Sequence, residues 1–253
     1  THHYEKSTIT YKIKMIPKII HYCWFGNKPI PTKEQKCMKT WQNILPEYKI
    51  IRWDENSFDI NSNPFTKEAY RLKKYAFVAD YVRLYALTTF GGIYLDTDIE
   101  IIRSLDDLLA KHKSFGGFET PNMLQTGVLA CEKGNTIFEE FFNYYKNHGF
   151  IWGGENATPP NSAILRDIMT AQGLYLNNKY QEINGFAIYP QDFFCPIDQG
   201  SRQIIITKNT YCIHYLEGSW FPRKTRWKNK AKHIIGRYLG YQFVNSIRHL
   251  FGK

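Results

Sequence analysis

The chain has 253 residues, 43% of them apolar and 16% aromatic, which is enough to fill the core of one large domain or two small ones. No apolar run approaches the ~20 residues of a membrane-spanning helix, no signal-peptide centre opens the chain, and its five cysteines contain no C-x-x-C pair. These features argue against a membrane-spanning protein, a disulfide framework and a zinc ribbon, and they predict a globular protein of the cytosol.

The formal net charge of +10 is concentrated towards the C-terminus. Nine of the 33 Lys and Arg residues lie in residues 223–253, which contain no Asp or Glu, so the remaining residues carry 24 basic and 23 acidic side chains. We expect a tag remnant or linker over residues 1–14, a main domain over residues 15–222 and a basic tail over residues 223–253. Such a tail attracts phosphate groups, on nucleic acid or on anionic lipid headgroups.

The first part of the chain alternates between strand and helix. The stretch "IPKIIHYCWFG", from Ile16, predicts a buried strand followed by a glycine turn, and residues 48–54 predict a second strand. The helix between them is expected to begin at Thr32, which caps it together with Gln35. Its apolar face consists of Cys37, Met38, Trp41, Ile44 and Leu45. This β-α-β alternation predicts an α/β sheet.

A helical pattern then extends from Thr66 to Phe90, where two glycines end it. Asp80 and Arg83 share one face of this helix because they are three residues apart. A strand over Ile93 to Leu95 follows, and after two acidic residues a second apolar run covers Ile99 to Ile102. The later segments have strand patterns over residues 113–119, 125–132 and 202–215, and helical patterns over residues 136–146 and 162–171.

Two carboxylates, Asp96 and Asp98, stand one residue apart at the end of an apolar strand. At this spacing both side chains point to the same side of the strand, and carboxylates brought together repel each other unless a cation lies between them. Oxygen ligands in a hydrated site suit Mg²⁺ or Mn²⁺, which complete their shells with substrate phosphates. The pair therefore predicts a cation that bridges a diphosphate, although so short a motif is also found in solvated turns.

Three segments, "IPKIIHYCWFG", "KYAFVADYVRLYALTTFGGIYLDTDIE" and "IHYLEGSW", frame the main domain. Together they resemble the DXD-containing sugar transferases related to the large glucosylating bacterial toxins and to bacterial capsule and Golgi mannosyl- or galactosyltransferases. The resemblance implies a retaining glycosyltransferase of the GT-A type, with one α/β domain around a mostly parallel sheet. It also implies a UDP-sugar donor and a cofactor ion, Mn²⁺ or Mg²⁺.

The resemblance carries roles to the first two segments. It makes Asp98 the direct metal ligand and assigns Asp96 to the ribose and to metal-bound water. Asp80 then holds a donor hydroxyl, and Arg83 binds sugar and phosphate. Trp24 matches an aromatic residue that stacks on the uracil base, worth about 1 to 3 kcal/mol; a tryptophan of the core is the alternative.

The third segment implies the remaining ligands. His214 is expected to be the third metal ligand, with Glu217 as the second choice and a hydrogen-bonded core histidine as the alternative. Ser219 and Trp220 are expected to form a lid that clamps the diphosphate. Gln125 is expected to line the sugar pocket with its amide.

The implied reaction needs no protein general base, since a leaving phosphate oxygen can take the acceptor proton while the metal and Arg83 stabilise the UDP leaving group. A double displacement would instead need a carboxylate beneath the anomeric carbon. Glu119 and Glu155 are the candidates that the sequence offers for that role.

The basic tail predicts contact with a membrane. If residues 226–239 are helical, one side of the helix is apolar and another is basic, the pattern of a helix lying in a membrane interface. A helix packed on the domain with a solvated basic face is the alternative. Surface binding would suit a cytoplasmic enzyme on the inner face of the membrane, acting on a glycan or lipid-linked glycan in capsule, O-antigen or lipopolysaccharide synthesis.

Three other functions fit parts of the sequence. A toxin-like transferase that glycosylates a protein would need helical domains for which 253 residues leave little room. A metal-dependent phosphodiesterase would need more clustered acids and histidines for two metals. A nucleic-acid-binding module could use the basic tail, but the near-neutral main domain argues against it.

Overall fold

The computed structural model describes residues 15–198, 201 and 203–216. The helices of this part of the chain are α1 (Thr32–Ile44), α2 (Pro64–Arg71), α3 (Tyr75–Phe90), α4 (Asp106–Lys111), α5 (Thr136–Asn147) and α6 (Asn161–Ala171). Its strands are β1 (Ile19–Cys23), β2 (Lys49–Trp53), β3 (Gly92–Leu95), β4 (Ile99–Ile101), β5 (Ser114–Thr120), β6 (Met123–Leu124), β7 (Val128–Cys131), β8 (Gln181–Ile183), β9 (Phe186–Tyr189) and β10 (Cys212–His214).

One large sheet organises the described residues. Its strand order is β2-β1-β3-β7-β5-β9-β8, with β6 paired to β5. The pairings β1 with β2, β1 with β3 and β5 with β9 are parallel, whereas β7 is antiparallel to both β3 and β5. Strands β1, β2, β3, β5 and β9 therefore run in one direction. The predicted α/β fold with a mostly parallel sheet is confirmed.

Helices cover both faces of this sheet, and the strands contribute side chains to each in turn. Tyr94 joins the cluster that contains residues of α2, α3, α5 and α6, whereas its neighbours Ile93 and Leu95 join the cluster that contains residues of α1 and α4. This alternation follows from the two-residue period of a strand. Asp96, two residues beyond Tyr94, continues on the α3 side of the sheet.

The predicted helix over residues 66–90 is wrong in one respect, because the structure divides it into α2 and α3. Lys73 lies between them with a φ of 57°, in the left-handed region. The amide of Lys74 donates to the carbonyl of Ala69 and ends the first helix. No Gly or Pro marks this break, and both helices bury apolar residues, so the periodicity continues across it.

Two further predictions need correction. Thr32 is the first residue of α1 rather than its cap, since Pro31 holds the capping position. The side-chain amide of Gln35 donates to the carbonyl of Ile30 at 2.6 Å instead of forming a cap with Thr32. Within the described part of residues 202–215, the structure has only a short strand, Cys212–His214, and an isolated bridge from Ile204 to Ile197. The predicted late strands are therefore wrong over Ile204, Ile205 and Ile206, which are exposed, and right over Cys212–His214.

The predictions for residues 1–14 and for the tail over residues 223–253, together with the boundary at residue 222, lie outside the described residues. Among the helices that the structure describes, none is long and apolar enough to cross a membrane.

Candidate active site

The acidic pair lies where three strands end or begin. Asp96 directly follows β3, and its amide donates to the carbonyl of Gly127 at 2.9 Å, just before β7. Strand β4 begins at Ile99 and pairs antiparallel with β10, so that His214 lies opposite Ile99. This two-stranded pairing brings a residue from the end of the described chain to the acids.

Asp96, Asp98 and His214 form a cluster in which each residue offers one ligand atom within 4.8 Å of the others. The Nε2 atom of His214 lies 3.4 Å from Oδ1 of Asp98 and 3.8 Å from Oδ2 of Asp96. Two carboxylates and one imidazole suit Mn²⁺ or Mg²⁺ in a site that water and phosphate complete. The residues present therefore fit a divalent cation.

The charge of this cluster is reflected in its histidine. Burial, the largest single influence, lowers the pKa of His214, but the carboxylates of Asp98, Asp96 and Glu119 together raise that pKa to about 9. The Nδ1 atom of His214 is buried without a hydrogen-bond partner among the described residues. Acidic surroundings thus favour positive charge at Nε2, where a metal would also be held.

Gly127 closes the cluster from the β7 side. A Cβ atom at this position would lie 2.6 Å from Cε1 of His214 and 2.9 Å from Oδ2 of Asp96. Any side chain would therefore displace two of the three candidate ligands. The sequence prediction did not include Gly127; the G of "QTGVLA" was the available signal.

Arg83 is a fixed buried cation beside the acids. Its Nη2 atom donates to Oδ1 of Asp96 at 3.1 Å, and its Nη1 atom donates to the carbonyl of Thr126 at 2.8 Å. The guanidinium lies 4.2 Å above the ring centre of Tyr94, whose hydroxyl donates to Asp96 at 3.0 Å. Burial lowers the pKa of Arg83. The neighbouring Tyr94, Asp96 and Asp80 raise this pKa by more than burial lowers it, so the guanidinium is permanently charged.

Tyr94 was missed from the sequence although it stands two residues before Asp96. The two-residue period places both side chains on the same side of the chain, which was the available signal. Its ring supports Arg83 and its hydroxyl orients Asp96.

Asp80 lies on α3 next to Arg83, with 3.5 Å between Oδ1 and Nη2. Burial raises the pKa of Asp80 to about 7, with Arg83 opposing the shift and Asp96 adding to it. The side-chain amide of Asn161, at the start of α6, donates to Oδ1 of Asp80 at 2.6 Å. The structure therefore brings the predicted pair to the acids, together with Asn161, which the sequence did not indicate.

Trp24 follows β1 at the edge of the sheet where Asp96 follows β3. Its indole is half-buried rather than part of the core interior, and Nε1 donates to the carbonyl of Lys28 at 2.6 Å. Because β1 and β3 are parallel neighbours, their carboxyl ends lie side by side. The uracil-stacking role of Trp24 stays a prediction.

Gln125 is fully buried, and its Oε1 atom accepts a bond from the amide of Val128 at 3.2 Å. Its Nε2 atom is buried and has no partner among the described residues, and the role of Gln125 in a sugar pocket stays a prediction. Glu119 lies close enough to influence the pKa of His214, whereas Glu155 is exposed on the loop before α6.

The remaining predicted residues, Glu217, Ser219 and Trp220, lie outside the described residues. The choice between His214 and Glu217 as third ligand therefore stays a prediction, as does the lid.

Part of the site lies within a region that known proteins share. A family model described as "Glycosyltransferase sugar-binding region containing DXD motif" matches residues 31–115, which include Asp80 and Arg83 of α3 and the two acids that follow β3. Inositol phosphoceramide mannosyltransferase 3 of Schizosaccharomyces pombe is 33% identical over 124 residues, 47% of this chain and 34% of that protein. The chain thus spans about a third of the length of this relative.

Two further proteins are similar to this chain over most of its length. The glycosyltransferase GlyE of Streptococcus pneumoniae aligns with 92% of this chain and 63% of its own, at 13% identity and a TM-score of 0.49. An uncharacterized glycosyltransferase of Acanthamoeba polyphaga mimivirus is 31% identical over 220 residues, 82% of this chain and 85% of that protein. On the strength of this last match, the chain belongs to the glycosyltransferases whose sugar-binding region contains a DXD motif.

Proposed function

We propose that this protein is a metal-dependent, retaining hexosyltransferase that moves a sugar from a UDP-sugar to a glycan acceptor. One observation carries the proposal: Asp96, Asp98 and His214 converge within 4.8 Å, and Arg83 contacts the same Asp96. Acids that can hold a cation, next to a permanent positive charge, match the needs of a departing diphosphate.

Asp98 and His214 would hold a divalent cation, Mn²⁺ or Mg²⁺, with Asp96 beside them. When bound, the ion supplies positive charge that neutralises the diphosphate as it departs. Glu217 would be the alternative to His214. Ser219 and Trp220 would close over the diphosphate.

The chain's own residues bind and orient the donor. Arg83 is held by Asp96, Thr126 and Tyr94, so it can stabilise developing negative charge without reorganising. Asp80 binds a hydroxyl of the donor sugar, Gln125 lines the sugar pocket, and Trp24 stacks on the uracil.

The acceptor hydroxyl attacks the anomeric carbon from the face that the diphosphate leaves. The new bond joins the acceptor oxygen to that carbon, the bond from carbon to phosphate oxygen breaks, and the acceptor proton passes to the leaving phosphate oxygen. The enzyme supplies placement and electrostatic stabilisation. A double displacement would use Glu119, whose charge influences His214, rather than the exposed Glu155.

The acceptor we propose is a glycan or lipid-linked glycan of capsule, O-antigen or lipopolysaccharide synthesis. The basic residues 223–253 would hold the enzyme on the inner, anionic face of the membrane. The double variant Lys230→Glu and Arg237→Glu should abolish binding to anionic vesicles in a sedimentation assay. Unchanged binding would reject the membrane role and leave the transferase role intact.

The transferase role is tested by calorimetry with a panel of UDP- and GDP-sugars, with and without Mn²⁺. We expect the wild type to bind a UDP-sugar only when Mn²⁺ is present. In Asp98→Asn, adding Mn²⁺ should no longer increase the affinity for the UDP-sugar. Metal-dependent affinity that persists in Asp98→Asn would remove Asp98 from its role, and preference for GDP-sugars would correct the donor.

A further inference from the structure

We propose that Asn161 is a positioning residue that aims the carboxylate of Asp80 at the donor sugar. This inference rests on the proposed function, since it deepens the role of Asp80. Asn161 is the first residue of α6, lies 81 positions from Asp80 in the chain, and is 8% exposed. It lies in none of the segments that carry the family resemblance.

Asp80 and three other residues form a closed ring of contacts. Asn161 Nδ2 donates to Asp80 Oδ1 at 2.6 Å, and Thr126 Oγ1 donates to Asn161 Oδ1 at 2.8 Å. Arg83 Nη1 donates to the carbonyl of Thr126 at 2.8 Å, and Arg83 Nη2 lies 3.5 Å from Asp80 Oδ1. The ring joins α3, α6 and the segment that precedes β7, three parts of the fold that are far apart along the chain.

The ring fixes the orientation of the Asn161 amide. Its oxygen accepts from the Thr126 hydroxyl, so its NH₂ group faces the carboxylate. The flipped amide would place an oxygen 2.6 Å from a carboxylate oxygen, where two acceptors repel each other. With Asp80 ionised, only the observed orientation satisfies both neighbours.

The ring also determines which oxygen of Asp80 meets a ligand. Among the contacts of the described residues, those from Asn161 and Arg83 both reach Oδ1. We therefore assign Oδ2 to the sugar hydroxyl. A carboxylate group rotates freely about its last side-chain bond unless it is held. The hydrogen bond from the Asn161 side-chain amide to Oδ1 therefore fixes the direction of Oδ2.

A matched control exists elsewhere in the chain. Asn135 is also a buried asparagine at the start of a helix, and it is 7% exposed. It accepts from the amide of Phe138 and donates to the hydroxyl of Ser114 at 3.2 Å, away from the acids. Truncating it removes hydrogen bonds and helix capping without touching Asp80.

The experiment compares affinities for UDP and for the UDP-sugar, both in Mn²⁺, by calorimetry on the full chain. The variants are Asn161→Ala, Asn161→Asp and the control Asn135→Ala, with melting temperatures recorded for each. Because Asp80 meets the sugar and not UDP, we expect Asn161→Ala to weaken UDP-sugar binding about tenfold or more while UDP binding stays within about twofold. Asn161→Asp should weaken it further, because it places a second carboxylate against Asp80.

Other outcomes overturn the inference in distinguishable ways. Equal losses for UDP and the UDP-sugar, or the same pattern in Asn135→Ala, would make Asn161 a structural residue only. Unchanged UDP-sugar affinity would remove it from the site. A wild type that binds neither ligand would overturn the proposed function as well. If the Asn161 variants do not fold, Thr126→Val, which deletes only the hydroxyl bond of the ring, should show the same selective loss, and an unselective effect would contradict the inference.

Discussion

The charged side chains in the two halves of the site are balanced by different partners. On one side, Arg83 and Asp80 are joined to Asn161 and Thr126 by a closed ring of contacts. On the other, Asp96 and Asp98 face His214, whose pKa they and Glu119 raise against the effect of burial. The first half is organised by the protein's own groups, whereas the second gathers two carboxylates that a cation would stabilise. Asp96 belongs to both, since Arg83 and Tyr94 hold one of its oxygens.

Replacing Arg83 with Lys breaks the first half and should have the largest effect. Lysine cannot contact Asp96 and Thr126 together while lying flat over Tyr94, because it lacks the planar fork of arginine. We expect kcat/KM to fall roughly 10²- to 10³-fold, as for loss of one preorganised donor to a developing anion. Steady-state transfer assays measure this, and a fall of less than about tenfold would show that charge alone suffices.

Gly127→Ala tests the second half. The new Cβ would lie 2.6 Å from His214 Cε1, so the histidine must move away from the acids. We expect Mn²⁺ affinity to fall about 10- to 100-fold, as when the orientation of a metal ligand is lost.

The control for this change is Gly149→Ala, where a Cβ meets no atom within 4 Å. Calorimetric titration of Mn²⁺ compares the two variants. Wild-type affinity in Gly127→Ala would show that the metal does not depend on the position of His214.

Tyr94→Phe tests the contacts of Asp96, the residue that belongs to both halves of the site. The change removes the hydroxyl bond to Asp96 and the 3.4 Å contact that the same hydroxyl accepts from Arg83 Nη2, but it keeps the ring below Arg83. We expect a loss of about 1 kcal/mol in transition-state stabilisation, a fall in kcat/KM of about fivefold. An effect as large as that of Arg83→Lys would mean that the hydroxyl of Tyr94, rather than its ring, holds Asp96 and Arg83 in place.

The smallest expected effect concerns His21, a buried histidine whose pKa no carboxylate of the described residues raises. Burial lowers its pKa below 6.5; Nε2 contacts the carbonyl of Gly91 and Nδ1 accepts from the indole of Trp53. The unfolded chain therefore binds more protons below pH 6.5, and stability is lost as the pH falls through that value. The slope that one such group contributes is at most about 1.4 kcal/mol per pH unit.

Urea unfolding between pH 7.5 and 5 measures this slope. His21→Gln, whose amide can still donate to Gly91, should show a shallower pH dependence, even though its stability at neutral pH is lower. His148→Gln, at an exposed position, serves as the control. Parallel slopes for wild type and His21→Gln would place the acid sensitivity elsewhere.

Local patterns in the sequence were sufficient for much of the fold. The period of α3 put Asp80 and Arg83 on one face, the double glycine ended that helix, and the short strand after it placed Asp96 at a strand end. Each depends on residues a few positions apart, within reach of backbone periodicity. The break near Lys73 and the loop at Ile204 were missed because apolar periodicity does not report where a chain turns without Gly or Pro.

The sequence by itself determined the α/β class, the acidic pair and the helix that faces it. Only the tertiary structure decided which distant residues complete the site: His214 arrives through the pairing of β10 with β4, Gly127 leaves room for it, and Asn161 reaches Asp80 from 81 positions away. The physical reason is that these contacts depend on strand order and helix packing, which join residues that no local period relates.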